Sequence, residues 1–232
     1  MIEVSSGVWM CAPAPRKLLR RDSDQVAPML LGMLMVNGDT GVVVTEVEAY
    51  GGPDDQASHA YGGISRRNRS MFDDGGTLYV YLSYGIHRCI NVVTGSAGDG
   101  QAVLIRSGIV ISKSNYMADA GFIRGELVTG PGRLGKAIDA QLGDDGVDLF
   151  NSSSWKLLDS RRLMQVENGS VERSVRVGIS RSREFEWRFQ MIIGANLRKA
   201  GPKIVRDTFS MGQRSPKDSS STITDCCSSL GQ

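Results

Sequence analysis

The sequence has few cysteines, few histidines and no long apolar run, and each shortage removes a class of protein. Four cysteines and two histidines in 232 residues show neither the spacing of a disulfide framework nor that of a zinc site. We therefore expect no metal and no cofactor. No apolar run approaches the roughly 20 residues that cross a bilayer, and the N-terminus lacks the basic-then-apolar layout of a signal peptide. We expect no membrane partner and a cytoplasmic or nuclear protein that is not secreted.

Net charge is also low, at +2, so the overall charge says little about partners, whereas its distribution says more. Three arginines, Arg66, Arg67 and Arg69, fall within one short glycine-containing loop. Such a loop on a chain of mixed charge is typical of a protein that holds a polyanion on one face. Ordinary solvated surface charge explains the loop equally well when it is taken alone.

What the sequence does contain is a succession of β-rich runs separated by short turns. They predict the α+β fold class: a single domain with a curved, mainly antiparallel β-sheet and flanking helices. Residues 1–16 are expected to form a flexible arm, and the serine-rich residues 205–232 a disordered tail. The predicted strands cover 42–50, 77–83, 86–93, 101–107, 146–150 and 175–179, and the predicted helices cover 22–32, 54–61, 112–120 and 133–142.

The run from residue 42 to residue 50 is the most informative of these strands. Because side chains alternate between the two faces of a strand, one face receives Val42, Val44, Glu46, Glu48 and Tyr50. Two carboxylates and an aromatic ring thus project together from a strand that ends in a glycine-proline turn, and loops at strand ends often carry functional residues. An edge strand with its polar residues in water explains the same pattern.

Arg106 lies in another apolar strand, and a buried guanidinium needs a carboxylate or several other acceptors. Glu46 or Glu48 on a neighbouring strand is the natural partner, although such a pair can be purely structural. Five of the six tyrosines lie between residues 50 and 84. A cluster of rings beside a carboxylate and a basic loop suits a pocket that stacks flat bases. Ordinary packing of tyrosines within a sheet is the alternative.

A series of short motifs also runs through the chain in a fixed order. It consists of Glu46-Val47-Glu48-Ala49-Tyr50, Gly52-Pro53, His59, Arg67-Asn68-Arg69, Met71-Phe72, Gly76-Thr77-Leu78-Tyr79-Val80-Tyr81, Tyr84-Gly85 and Asn91. Looser matches follow at 130–134, 146–149 and 176–178. This series resembles the alkyladenine (3-methyladenine) DNA glycosylases and covers most of the chain. Residues 17–204 are therefore expected to form a glycosylase-like domain.

The resemblance implies a set of catalytic residues. Glu48 would be the general base that draws a proton from the water attacking C1′ of a damaged nucleotide. Arg106 and the backbone carbonyl of Val177 would hold that water. Because no lysine is placed to form a Schiff base, we expect hydrolysis of the N-glycosidic bond without lyase activity. The expected partner is damaged double-stranded DNA, bound by a monomer, which agrees with a nucleoid-associated or nuclear location.

The resemblance also assigns residues that contact the base and the duplex. Tyr50, His59 and Tyr81 would line the slot for the flipped base, and Asn91 would reject undamaged guanine. Tyr84 would enter the duplex and fill the gap that the base leaves behind. We expect Arg67, Arg69 and Arg133, which lie in two glycine-containing segments, to contact the DNA backbone.

The chain departs from the family after Phe189, where residues 190–198 and the serine-rich tail replace the usual closing strand. The sequence leaves open whether this strand forms beside Val177. A protein that binds lesions without turnover is therefore the second hypothesis. A carboxylate-based hydrolase of nucleosides or other small glycosides is the third. Competition by duplex DNA would separate it from a DNA repair glycosylase.

Overall fold

One long central strand organises the fold. The computed structural model describes residues 2–5, 11–112, 116–117, 122–161 and 171–192. Strand β3, Thr40–Tyr50, is paired along both edges: β2 (Leu34–Asn37) and β11 (Arg188–Met191) lie on one side and β6 (Gln101–Ser112) on the other. Since β3 is central and buried almost throughout, an edge strand in water is excluded.

The remaining strands extend this sheet on both sides, and every pairing among the described strands is antiparallel. They are β1 (Ile2–Ser5), β4 (Leu78–Ser83), β5 (His87–Thr94), β7 (Tyr116–Met117), β8 (Phe122–Thr129), β9 (Trp155–Leu158) and β10 (Val171–Ser174). The main order is β1-β8-β6-β3-β11-β10. Off this path, β5 pairs with β6, β4 with β5, β7 with β8, and β9 with β2. The predicted α+β domain with a curved antiparallel sheet is confirmed.

In the described residues, three short α-helices accompany the sheet: α1 (Arg16–Leu19), α2 (Ser23–Leu30) and α3 (Pro131–Ala137). Helix α2 buries Val26, Ala27 and Leu30 against the sheet, as expected for an amphipathic helix that covers a core. The helix predicted over 22–32 is therefore confirmed. Its residues and the apolar side chains of β3, β5 and β6 form one main core cluster.

A β-bulge in β3 decides which side chains face the site. The register between β3 and β6 shifts on either side of Glu46, because Thr45 and Arg106 each lack a directly opposed partner. Val42 and Val44 join the main core together with Val47 and Ala49. Since a bulge inserts one residue and changes the alternation, the predicted single face shared by Val42, Val44, Glu46, Glu48 and Tyr50 is wrong for the two valines.

The hairpin between β4 and β5 ends in an exposed turn. Its central residues, Tyr84 and Gly85, both have positive φ, of 50° and 72°, and the Ile86 N–H donates to the Ser83 carbonyl at 3.1 Å. Positive φ at both positions is the turn geometry that matches the twist of paired strands. The bend that the sequence predicts at Tyr84-Gly85 is confirmed.

Several predicted elements differ from the structure. Residues 54–61 form turns that follow a 3-10 helix at Gly52–Asp54, and α3 ends at Ala137 instead of continuing to residue 142. The described part of 112–120 is extended, because Ser112 ends β6 and Tyr116–Met117 forms β7. The predicted strands at 146–150 and 175–179 are loop in the structure. In 54–61, 146–150 and 175–179, hydrogen bonds that involve side chains of distant residues hold the backbone, which local sequence patterns do not record.

At the ends of the chain, the predicted arm over 1–16 includes β1, which pairs with β8, and the buried residue Ala14. Of the segment 190–198, whose strand the sequence leaves open, Gln190 and Met191 belong to β11 between β3 and β10, and residues 193–198 lie outside the described residues. The predicted tail, 205–232, lies outside the described residues. None of the helices in the described ranges has both the length and the apolar character needed to span a bilayer.

Candidate active site

A pocket of about 280 Å³ lies where one face of β4, β5 and β6 meets the loops that carry His59 and Val177. Its volume lies near the low end of small-molecule pockets, which suits one flat base. The walls combine rings, apolar side chains and a few polar groups: Tyr50, His59, Met71, Tyr79, Tyr81, Cys89, Asn91, Leu104, Arg106 and Val177. Seven of the predicted site residues line this pocket and are therefore brought together: Tyr50, His59, Tyr81, Tyr84, Asn91, Arg106 and Val177.

Four of the residues that line the pocket lie in β4 and β5, where they form two cross-strand pairs. Tyr79 lies opposite Asn91, and Tyr81 lies opposite Cys89, so all four side chains share one face of the hairpin. The two tyrosine rings are stacked, with centroids 5.5 Å apart. Asn91 is buried and its Nδ2 donates to the Tyr79 carbonyl at 3.0 Å, which fixes the orientation of its amide.

His59 is positioned by a turn instead of the predicted helix. Asn68 Nδ2 donates to the His59 carbonyl at 2.8 Å, and the imidazole Nδ1 lies 2.9 Å from the Tyr79 hydroxyl oxygen. The His59 ring meets the Tyr81 ring edge-on, with centroids 4.5 Å apart. Although one face of His59 stays exposed, burial of the rest of the ring lowers its pKa, which favours the neutral imidazole.

Glu48 is held by three hydrogen-bond donors. Its Oε2 accepts from the Tyr50 hydroxyl at 3.0 Å and from Arg106 Nη1 at 3.2 Å. Its Oε1 accepts from the Val177 N–H at 2.7 Å. Burial, followed by the neighbouring Glu48 charge, raises the pKa of Tyr50, so the phenol remains protonated and donates to the carboxylate.

The carboxylate itself lies one layer behind the pocket wall. The Glu48 side chain is 0% exposed, whereas Tyr50, Arg106 and Val177 all line the pocket. Val177 contacts Glu48 through its N–H, and the sequence had predicted a role for its carbonyl. Within the described part of the chain, Oε1 accepts one hydrogen bond, from an exposed loop residue, so it is the oxygen with room for a further donor.

Arg106 bridges both carboxylates of β3, as its place in the bulge allows. Its Nε donates to Glu46 Oε1 at 3.1 Å, while its Nη1 reaches Glu48. Burial alone would raise the pKa of Glu46, but hydrogen bonds from Ser107 and Arg188 and the two arginine charges outweigh it, so the pKa lies below its ordinary value. Both carboxylates that the sequence offers as partners for Arg106 are therefore used.

A buried ion pair lies behind Tyr50. Arg176 Nη1 and Nη2 donate to Asp55 Oδ2 and Oδ1 at 2.5 and 2.9 Å. Burial would raise the pKa of Asp55, but Arg176 and the backbone N–H groups of Ala57 and Gly51 outweigh it and lower the pKa. Neither residue has a predicted role, because a separation of 121 positions leaves no local signal of the contact.

The residues predicted to contact the duplex lie on the surface around the pocket. Tyr84, at the tip of the β4–β5 hairpin, is 93% exposed. Arg67 and Arg69 are exposed, and Arg67 lines a second cavity of about 800 Å³ that shares Tyr79 and Tyr81 with the first. Arg133 is exposed in the first turn of α3.

Several residues that line the pocket have no predicted site role, among them Met71, Tyr79, Cys89 and Leu104. For two of them a signal existed, since Tyr79 precedes Tyr81 by two positions and Cys89 precedes Asn91 by two, which places each pair on one strand face. Cys89 is buried, and it also forms part of the pocket wall. Met71 and Leu104 carried no such signal.

Comparison with known proteins agrees with this geometry. Residues 17–193 match the family model of methylpurine-DNA glycosylase. A relative from Corynebacterium glutamicum is 41% identical over 170 residues, covering 72% of this chain and 87% of the relative. One from Frankia casuarinae is 40% identical over 187 residues, covering 77% and 87%. One from Cutibacterium acnes is 41% identical over 172 residues, covering 71% and 88%.

All three relatives are named as proposed 3-methyladenine DNA glycosylases. The match covers most of the chain, including every strand that lines the pocket. The chain belongs to the methylpurine-DNA glycosylase family and is a DNA glycosylase that acts in DNA repair.

Proposed function

We propose that the protein flips alkylated or deaminated purines out of double-stranded DNA and hydrolyses the N-glycosidic bond with a water that Glu48 activates. The lesions are of the 3-methyladenine, 7-methylguanine and hypoxanthine type. One observation carries the proposal: Glu48 is a buried carboxylate whose three donors, Tyr50, Arg106 and Val177, all line the pocket. The names of the relatives support the same class of lesion.

The rings of the pocket supply the binding energy. Extruding a base costs a few kcal/mol, least for a damaged one, and stacking on aromatic side chains returns about 1–3 kcal/mol per base. An N3- or N7-alkylated purine is cationic, so the faces of Tyr50 and Tyr81 attract it by about 0.5–2 kcal/mol more. Asn91, whose amide Tyr79 holds in place, stands against the exocyclic amine of guanine.

Tyr84 is the residue that enters the duplex. It stands 93% exposed at the tip of a hairpin, with φ of 50°, a backbone conformation that costs free energy for a residue other than glycine. A large ring presented in this way loses no core contact when it inserts between bases. The exposed Arg67, Arg69 and Arg133 would pair with phosphates on either side.

Glu48 takes a proton from water as the water oxygen bonds to C1′, and the C1′–N bond breaks with its electron pair leaving on the base. An alkylated purine, which is cationic in the nucleotide, then departs as a neutral molecule, whereas hypoxanthine departs as an anion and takes up a proton from water. The negative charge of Glu48 also stabilises the positive charge that develops on the sugar. Arg106 and the Val177 carbonyl hold the attacking water.

Water can reach Glu48 only when the wall in front of it moves. Val177 belongs to an exposed loop and covers Oε1 with one hydrogen bond. Because a carboxylate oxygen can accept two hydrogen bonds, we expect water to donate to Oε1 beside the Val177 N–H once the bound nucleotide shifts the side chains in front of it. Oε2 keeps its bonds to Tyr50 and Arg106 throughout, which holds the carboxylate in place.

The test is Glu48→Gln in the full chain, assayed with excess enzyme on duplexes that each carry one lesion. Loss of a general base predicts base release slower by about 10²–10⁴-fold, with binding to the lesion duplex retained. Glu172→Gln, at an exposed carboxylate on β10, is the matched control and should release base at the wild-type rate. Undiminished release by Glu48→Gln would reject Glu48 as the base.

A lesion-binding protein without turnover is the second candidate, and the complete burial of Glu48 favours it. The same assay separates the two. A binder would retain the lesion duplex in a gel shift, while excess wild-type protein would release no free base from any of the lesions.

A further inference from the structure

The strongest feature outside the residues already assigned is the environment of Arg176. Its side chain and that of Asp55 are 0% and 1% exposed. Burying two charges is expensive, and such a pair is weak evidence for stability because apolar residues of the same volume often do as well. Its position, directly behind the pocket wall, therefore suggests another role.

Arg176 connects three segments that meet at the site. Besides its two bonds to Asp55, its Nη1 donates to the Ala49 carbonyl at 2.9 Å and its Nη2 to the Ser182 carbonyl at 3.3 Å. Asp55 accepts from the Gly51 and Ala57 N–H groups at 3.1 and 3.0 Å. The end of β3, the following turn and the loop that contains Val177 are thus joined at one guanidinium.

Two of the three donors to Glu48 depend on this junction. The Arg176 guanidinium lies over the Tyr50 ring, 4.8 Å from its centroid, with Trp187 5.2 Å away. The Tyr50 hydroxyl then reaches Glu48 Oε2. The peptide that follows Arg176 supplies the Val177 N–H to Oε1. The third donor, Arg106, is held separately by Glu46.

We propose that Arg176, paired with Asp55, is a positioning residue for Glu48: it sets the Tyr50 hydroxyl and the Val177 N–H on the two carboxylate oxygens. The proposal rests on the proposed role of Glu48 as the base. Arg176 does not touch the base or the water. It acts on the rate of bond cleavage, because misplacing a reacting group by about 1 Å costs up to about 10²-fold.

The experiment measures single-turnover base release by the full chain, on the lesion duplex that the wild-type protein cuts fastest. Arg176→Met is the principal variant, and Asp55→Asn is a second that keeps the shape of the side chain. Rates are taken per active molecule, counted by titration with the same duplex, so a fraction that fails to fold does not enter the result. Arg16→Met, which breaks a salt bridge to Asp148 away from the pocket, is the matched control.

We expect Arg176→Met and Asp55→Asn to release base about 10- to 100-fold more slowly, with the dissociation constant for the lesion duplex unchanged and Arg16→Met at the wild-type rate. In a Glu48→Gln background the Arg176→Met change should slow release no further, since its effect passes through Glu48. Wild-type rates in both variants, or an equal further loss in that background, overturn the proposal.

These outcomes stay distinct from failure of the proposed function. That failure would appear in proteins with Arg176 intact, as no base release by the wild type or undiminished release by Glu48→Gln.

Discussion

The molecule contains two arginine–aspartate pairs that each cover an aromatic ring, and they differ mainly in burial. Arg176 pairs with Asp55 over Tyr50, with side chains 0% and 1% exposed. Arg16 pairs with Asp148 and lies 4.3 Å from the centroid of the Phe150 ring, with side chains 27% and 33% exposed. The chemical groups are the same, so the comparison isolates the effect of the surroundings.

The geometry of the two pairs also differs. Arg176 uses two nitrogens on the two oxygens of Asp55, which is the fork that fixes an orientation. Arg16 directs one nitrogen, Nη2, at both oxygens of Asp148 and turns Nη1 toward Asp74 and the Gly75 carbonyl. A fork in a buried site holds neighbouring groups in place, whereas a surface arginine shared among acceptors adds little to the free energy of folding.

The largest expected difference is in stability. Arg176→Met leaves Asp55 as an uncompensated buried charge, which costs about 3–5 kcal/mol. Arg16→Met breaks a half-buried pair at the surface, which costs about 1 kcal/mol or less. Urea unfolding of both variants and of the wild type measures the two values. Equal costs would show that burial does not separate the pairs.

The next difference is in the response to acid. The pKa of Asp55 lies below its ordinary value of 3.8, so its carboxylate stabilises the fold above that value, and the stabilisation is lost as the pH falls through the lowered folded pKa. The advantage of the wild type over Asp55→Asn should therefore be constant above about pH 5 and shrink below about pH 4. Urea unfolding at a series of pH values measures it.

Asp148 provides the comparison in the same titration. Its pKa is also lowered, since the Phe150 N–H, Arg16 and Asn151 outweigh the effect of burial. The sign is therefore the same, but the group is more exposed and water screens it, so Asp148→Asn should show a shallower dependence. If the wild type stays more stable than Asp55→Asn by the same amount down to low pH, the titration does not belong to Asp55.

Much of this site follows from strand periodicity and from the ordered motifs. Alternation in β4 and β5 explains why Tyr81 and Asn91 face one pocket, and the sequence paired Arg106 with the carboxylates of β3. These are contacts between neighbouring strands, whose hydrogen bonds fix the register. The positions of Glu48, Tyr50 and Arg106 were predictable on these grounds.

The remainder depends on contacts that no local pattern records. Thr45 lies among valines and gives no sign of the bulge that reverses the alternation. The segment that carries His59 is held by a hydrogen bond from Asn68, so its helix-like sequence does not determine its conformation. Asp55 and Arg176 are 121 positions apart and are in contact only through the tertiary structure. In the sequence, each appears as an ordinary charged loop residue.

The smallest predicted effect is the response of the two pairs to salt. The Debye length falls from about 10 Å at 0.1 M to about 3 Å at 1 M salt, and screening acts on charges that water can reach. The cost of Arg16→Met should therefore shrink toward zero at about 1 M NaCl, while the cost of Arg176→Met should stay the same. Each cost is a difference between variant and wild type at one salt concentration, so general effects of salt on folding cancel.

Arg16→Lys is the control, because it keeps the charge. Its cost in folding free energy should not change with salt concentration. A salt-sensitive cost for Arg176→Met would mean that water reaches the Asp55 pair in solution, and the contrast between the two pairs would then fail at its physical basis.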